Sequence, residues 1–137
     1  MTFQMLPPAR SWPPDAEKLA QALAAGARRP TTEAGVALLL RLDTSFWARA
    51  DLARYYTPAK DGHALEVQWG DLETALDDYA LPASQGEHAA VALAASMAGE
   101  AEVELEWALG FLTAELLEEF LVAARHAAGQ STEDGDQ

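Results

Sequence analysis

Apolar positions recur at helical spacing over most of this chain. A first helix is predicted from about Asp15 to Ala25, with Asp15 and Glu17 at its positive N-terminal end and Gly26 as its stop. Thr31 or Thr32 is predicted to cap a second helix through Leu42, with Val36, Leu39 and Leu40 as its apolar stripe. Asp43-Thr44-Ser45 interrupts the pattern and caps a predicted third helix from Phe46 to Tyr56. Leu65, Val67 and Trp69 alternate with Ala64, Glu66 and Gln68, which is strand periodicity. Trp69, Leu72, Leu76 and Tyr79 then follow helical spacing.

The second half carries the sharpest local signals. Ser84 and Glu87 stand in the S-x-x-E relation of a capping box, which predicts a helix from there to Gly99. Ala89 to Gly99 carries no charge, so that helix is either central or packed on a partner. Glu100 to Glu106 alternates, with Val103 and Leu105 on one side and Glu102, Glu104 and Glu106 on the other. This predicts a second short strand pairing with Leu65–Gln68. Trp107 to Leu112 reads as a short apolar turn or helix. Thr113 caps the last helix, with Leu116, Leu117, Phe120, Leu121 and Ala124 as its core stripe and Gly129 as its stop. The expected fold is mainly α: a compact bundle of five or six helices with at most one short two-stranded β ribbon. Residues 1–14, with Pro7, Pro8, Pro13 and Pro14, read as an extended arm that Trp12 pins to the body. Residues 15–129 read as one helical domain, and 130–137 as a disordered acidic tail.

Composition narrows the chemistry. The chain has 137 residues and no cysteine, which excludes disulfides, thiolate metal sites and cysteine nucleophiles. Alanine is abundant, Ile and Asn are absent and Arg outnumbers Lys, as in the codon usage of a GC-rich genome. The N-terminus lacks the pattern of a signal peptide, and the apolar run Ala89–Gly99 is too short to span a bilayer, so the expected location is the cytoplasm. The net charge of −13 is unevenly placed: residues 1–60 hold 8 basic and 5 acidic side chains, and residues 61–137 hold 1 and 17. The acidic half disfavours contact with nucleic acid or anionic lipid, because phosphate contact needs Lys or Arg. It favours a basic partner or self-association.

The runs Leu81-Pro82-Ala83-Ser84-Gln85-Gly86-Glu87, Leu93-Ala94-Ala95-Ser96-Met97-Ala98-Gly99, Val103-Glu104-Leu105 and Ala124-Arg125-His126-Ala127-Ala128-Gly129 resemble a family of small actinobacterial proteins with no established activity. The resemblance covers roughly residues 69–129. It implies an intracellular bacterial origin and no particular chemistry. Members carry an acidic residue before the tryptophan and basic residues after the Gly-Glu pair, where this chain has Gln68 and His88-Ala89.

No catalytic motif is present. No serine lies in G-x-S-x-G, no Gly-rich phosphate loop exists, and His63, His88 and His126 lack metal-binding spacing. No cofactor or metal is called for, and Glu102, Glu104 and Glu106 read as a solvated strand edge rather than a cation site. Trp47, Trp69 and Trp107 fall on apolar stripes and read as core. Adjacent Tyr55 and Tyr56 cannot both face the core of a helix, so one is expected at a surface. A helix-turn-helix built from the first three helices, with Arg41, Arg49 and Arg54, is opposed by Asp43 and Asp51.

The leading expectation is therefore a non-enzymatic acidic interaction module. Its interface would comprise Asp71, Asp77, Asp78, Glu102, Glu104, Glu106, Glu115, Glu118, Glu119, Tyr55 and Tyr56, meeting a basic protein surface or a second copy. The alternatives are a DNA mimic that inhibits a nucleic-acid-binding protein, and a small ligand- or metal-binding enzyme with a site near His63, His88 or the tryptophans.

Overall fold

A computed structural model describes residues 15–60 and 64–129. The proposed N-terminal arm, His63 and the acidic tail lie outside the described residues. The chain runs through α1 (Ala16–Gly26), α2 (Pro30–Leu40), a four-residue α3 (Thr44–Trp47) and a 3-10 helix (Ala50–Tyr55). The strands β1 (Tyr56–Pro58) and β2 (Leu65–Val67) follow. Then come α4 (Trp69–Asp77), α5 (Gln85–Met97), α6 (Leu105–Gly110) and α7 (Ala114–Ala127). The fold is mainly α with one antiparallel ribbon, in which Tyr56 faces Val67 and Pro58 faces Leu65.

The helix α5 is the centre. Ala89 to Ala95 are all buried, and α2, α4, α6 and α7 pack around it. Its uncharged sequence is thus explained by burial within the chain, not by a partner. Small side chains let its neighbours approach closely: a Cβ on Gly35 of α2 would lie 2.7 Å from the Ala94 carbonyl oxygen. Gly26 plays the same part where α1 ends against the Leu65 carbonyl of β2.

Caps follow the sequence at most helix starts. Asp15, Asp43, Ser84 and Thr113 each accept from a backbone N–H of the first turn. Both arms of the Ser84–Glu87 box are made, at 2.9 and 3.0 Å. The second helix differs from expectation. It starts at Pro30 in its first turn, where the missing N–H costs nothing, and neither Thr31 nor Thr32 is its cap.

Four further expectations are corrected. The third helix is not continuous. It breaks at Ala48–Arg49, becomes 3-10, and turns into β1, so Tyr56 lies on a strand. Tyr56 is only 2% exposed, and its hydroxyl donates to the Trp47 carbonyl at 2.7 Å, so it belongs to no surface. Burial pushes its phenol pKa well up. Tyr55 is half-buried beneath the Arg54 guanidinium, 5.7 Å from its ring centroid. The four-residue α3, with Arg49 paired to Asp51 and Arg41 to Glu119, is also too short for the third helix of a helix-turn-helix.

Secondly, the ribbon partner of β2 is β1, and residues 101–104 form no strand. Glu104 is the residue before α6 and Glu106 sits in its first turn, where the helix dipole favours a carboxylate. Thirdly, Tyr79 is not on the core stripe of α4. That helix ends at Asp77, and Tyr79 is 89% exposed at φ 59°. Fourthly, the buried side of α7 is Leu116, Phe120, Ala123 and Ala127, whereas Leu117 and Leu121 remain partly exposed.

Candidate functional site

One cavity of about 490 Å³ lies between α4, the Leu81–Gln85 loop, α5, the 102–104 segment and α6. The helix α4 buries Trp69, Leu72 and Leu76, which turns Glu73 and Asp77, one turn apart, to the flank beside α5. The capping box fixes the start of α5 and so places His88 on the facing side. The ring of Trp107 on α6 closes edge-on against the His88 ring at 4.9 Å between centroids.

The loop wall is held from outside. Arg49 forks onto both Asp51 oxygens at 2.9 Å, and its remaining nitrogen donates to the Pro82 carbonyl at 2.6 Å. The Asp51 hydrogen bond raises the Arg49 pKa, and the same bond lowers that of Asp51.

Within the cavity His88 Nε2 lies 3.0 Å from Asp77 Oδ1 and 3.8 Å from Glu73 Oε2. One ligand-type atom from each of the three side chains lies within 4.8 Å of the other two. His88 and Glu73 are well covered, with side chains 14% and 16% exposed, while Asp77 is open at 59%. Burial, and then repulsion from Asp77, raises the Glu73 pKa above the ordinary glutamate value. Glu102 and Glu104 complete the lining, which holds four carboxylates and no Lys or Arg. Such a cavity has a strongly negative potential.

The acidic residues of the expected interface are divided mainly between two concavities. Asp77, Glu102 and Glu104 line this cavity. Glu115, Glu118 and Glu119 border a separate groove near Arg41, with Glu119 paired to Arg41 at 3.1 Å. Asp71 and Asp78 are exposed at the two ends of α4. Glu73 was not among the expected site residues, and Asp77 was expected on an interface rather than in a cavity. The signal that was available is the one-turn spacing of the two carboxylates; His88 joins them only through the packing of α5 on α4. His126 pairs with Glu33 at 2.7 Å, on the other side of α7 from its exposed leucines.

Trp47 and Trp69 are core, as expected; Trp107 is a cavity wall. Among the described residues no helix is long and apolar enough to cross a membrane. No family model, curated protein or solved structure matches the chain.

Proposed function

We propose that this protein binds a divalent transition-metal ion, of the Zn²⁺ or Mn²⁺ kind, through Glu73, Asp77 and His88. The observation that carries the reading is the convergence of an imidazole nitrogen and two carboxylates from two helices within 4.8 Å. Metal–ligand bonds of about 2.0–2.1 Å at tetrahedral or octahedral angles separate neighbouring ligand atoms by roughly 2.9–3.4 Å. The His88–Asp77 distance of 3.0 Å already meets that spacing, and the Glu73 contact at 3.8 Å needs only a small side-chain adjustment. Imidazole favours Zn²⁺ and its first-row neighbours, and carboxylates extend the range to Mn²⁺. Ca²⁺ is disfavoured, because it takes oxygen ligands alone and more of them.

A bound cation also resolves the electrostatics. Glu73 and Asp77 repel each other in a partly dry site, and a divalent charge between them offsets that repulsion. Three protein ligands leave coordination positions for water or a ligand in the cavity, where Glu102 and Glu104 admit cationic or neutral groups and reject anions.

The test is calorimetric titration of chelator-treated protein with ZnCl₂ and MnCl₂, alongside thermal denaturation. One equivalent should bind. At a hundredfold excess over Kd the stabilisation is about 2.7 kcal/mol, a rise in Tm on the order of 10 °C. His88→Ala and Asp77→Asn should each abolish the rise. Stabilisation that survives in both variants, or no binding in the wild type, sinks the reading.

A further inference from the structure

The last helix carries apolar side chains that the fold covers only in part. Leu116, Phe120, Ala123 and Ala127 turn α7 inward against α2 and α5. Beside that row runs a second one, Leu117, Leu121, Ala124 and Ala128, spaced four, three and four residues apart. Leu117 and Leu121 are 38% and 41% exposed. This is the spacing of a coiled-coil seam, which keeps one face of a helix in register with another helix.

The flank of the seam away from the core carries Glu118 and Arg125, seven residues apart and both exposed. Neither enters a salt bridge among the described residues. Arg125 is the only Lys or Arg after residue 60, and it stands beside this seam.

We infer that two copies of this chain pair through α7, antiparallel, about a two-fold axis between Leu121 and Ala124. The row is complementary to its own reversal. Under that axis Leu121 meets Ala124 of the second copy and Leu117 meets Ala128, so large side chains face small ones in every layer. The same axis brings Glu118 of each copy beside Arg125 of the other, twice. A parallel two-fold pairing would instead set Glu118 and Arg125 beside Phe120 and Ala127 of the other copy, leaving both charges unpaired. The inner flank, Phe120 and Ala127, merges with each copy's own core, so the contact is dry on one side and charged on the other. An isologous pairing of this kind closes at two copies.

The helix is about 20 Å long by its rise per residue, so the contact lies at the small end of stable interfaces and the dimer is a reversible one. Each copy carries a net charge of −13, and that long-range repulsion opposes association. Added salt screens it while leaving the apolar seam intact, so the dimer tightens with salt. A contact between an acidic face and a basic partner behaves in the opposite way.

Sedimentation equilibrium of the full chain with chelator present, at low and high salt, tests this independently of the metal site. A monomer–dimer equilibrium is expected, tighter at high salt. Leu121→Glu should raise the dissociation constant by at least about a hundredfold, since it removes a buried apolar side chain and adds a buried charge in two places. Its circular dichroism should stay that of the wild type, because the side chain is outside the core. Arg125→Glu should weaken pairing several-fold, and the double variant Glu118→Arg/Arg125→Glu should restore it. A wild type that stays monomeric at millimolar concentration in both salts overturns the inference. So does a Leu121→Glu variant that dimerises like the wild type. Arg125→Glu without effect, or a double variant that fails to recover, overturns the antiparallel register.

Discussion

Replacing Tyr79 by glycine should make the protein more stable, although it deletes an aromatic side chain. The helix α4 ends in a Schellman turn: Ala80 N–H donates to the Ala75 carbonyl at 2.8 Å and Tyr79 N–H to that of Leu76 at 3.1 Å. Closing that turn holds Tyr79 at φ 59°, the left-handed region, where a Cβ crowds the neighbouring carbonyl at a cost of roughly 1–2 kcal/mol. The side chain is 89% exposed and recovers little of this through burial. Glycine removes the crowding but adds unfolded-state freedom worth roughly 0.5–1 kcal/mol. The net gain is then about 0.5–1 kcal/mol, or roughly 2–5 °C in Tm. Alanine keeps the Cβ and therefore the strain, so Tyr79→Ala should leave stability nearly unchanged. Urea unfolding followed by far-ultraviolet circular dichroism separates the two: the midpoint should rise for glycine alone, with an unchanged slope. If both variants are equally stable, or glycine is the weaker, the backbone is not what limits this turn. A tyrosine kept at so unfavourable a position on the lip of the acidic cavity is a side chain to follow in the metal titration as well.

Three further outcomes follow from the packing and the cavity. Gly35→Ala should destabilise by about 1–3 kcal/mol despite the better helix propensity of alanine, because its Cβ would sit 2.7 Å from a backbone oxygen of α5; an unchanged denaturation midpoint refutes that close approach. Ser84→Ala removes one arm of the capping box and should cost about 1 kcal/mol in the same assay, a loss that an intact Glu87 does not recover. Glu73→Gln should stabilise the metal-free protein at neutral pH while abolishing metal binding. The folded-state pKa of Glu73 is raised, so the native state holds its proton more tightly than the unfolded chain. That contribution is present below the ordinary glutamate range and is lost as pH rises through the raised value. The advantage of the variant should therefore vanish on acidification, and an advantage that persists unchanged at low pH contradicts this account.

Local chemistry was legible without a structure. The caps at Asp43, Ser84 and Thr113, the acidic start of α1 at Asp15 and Glu17, the strand at Leu65–Val67 and the central place open to an uncharged α5 depend on residues within a few positions of one another. Such interactions form wherever the chain goes, which is why periodicity and capping motifs anticipate them. What alternation could not disclose is whether a segment finds an edge to pair with. Residues 101–104 alternate but join no ladder, and the strand expected to pair with them, β2, pairs with β1 instead. Likewise both rows of α7 are apolar and one turn of sequence looks like the next. Only the position of α2 and α5 decides which row is core and which is left outside.

The cavity was decided at the same level. Glu73 and Asp77 are neighbours by helical spacing, but an imidazole fifteen residues further on joins Glu73 only when α5 packs across α4, and Trp107 covers it only when α6 folds back. The sequence by itself determined a mainly helical, strongly acidic chain with an uncharged helix fit for its centre. The tertiary structure alone decided which carboxylates meet a histidine and which leucines face water, because both depend on contacts between segments distant in the chain, whose geometry no local pattern encodes.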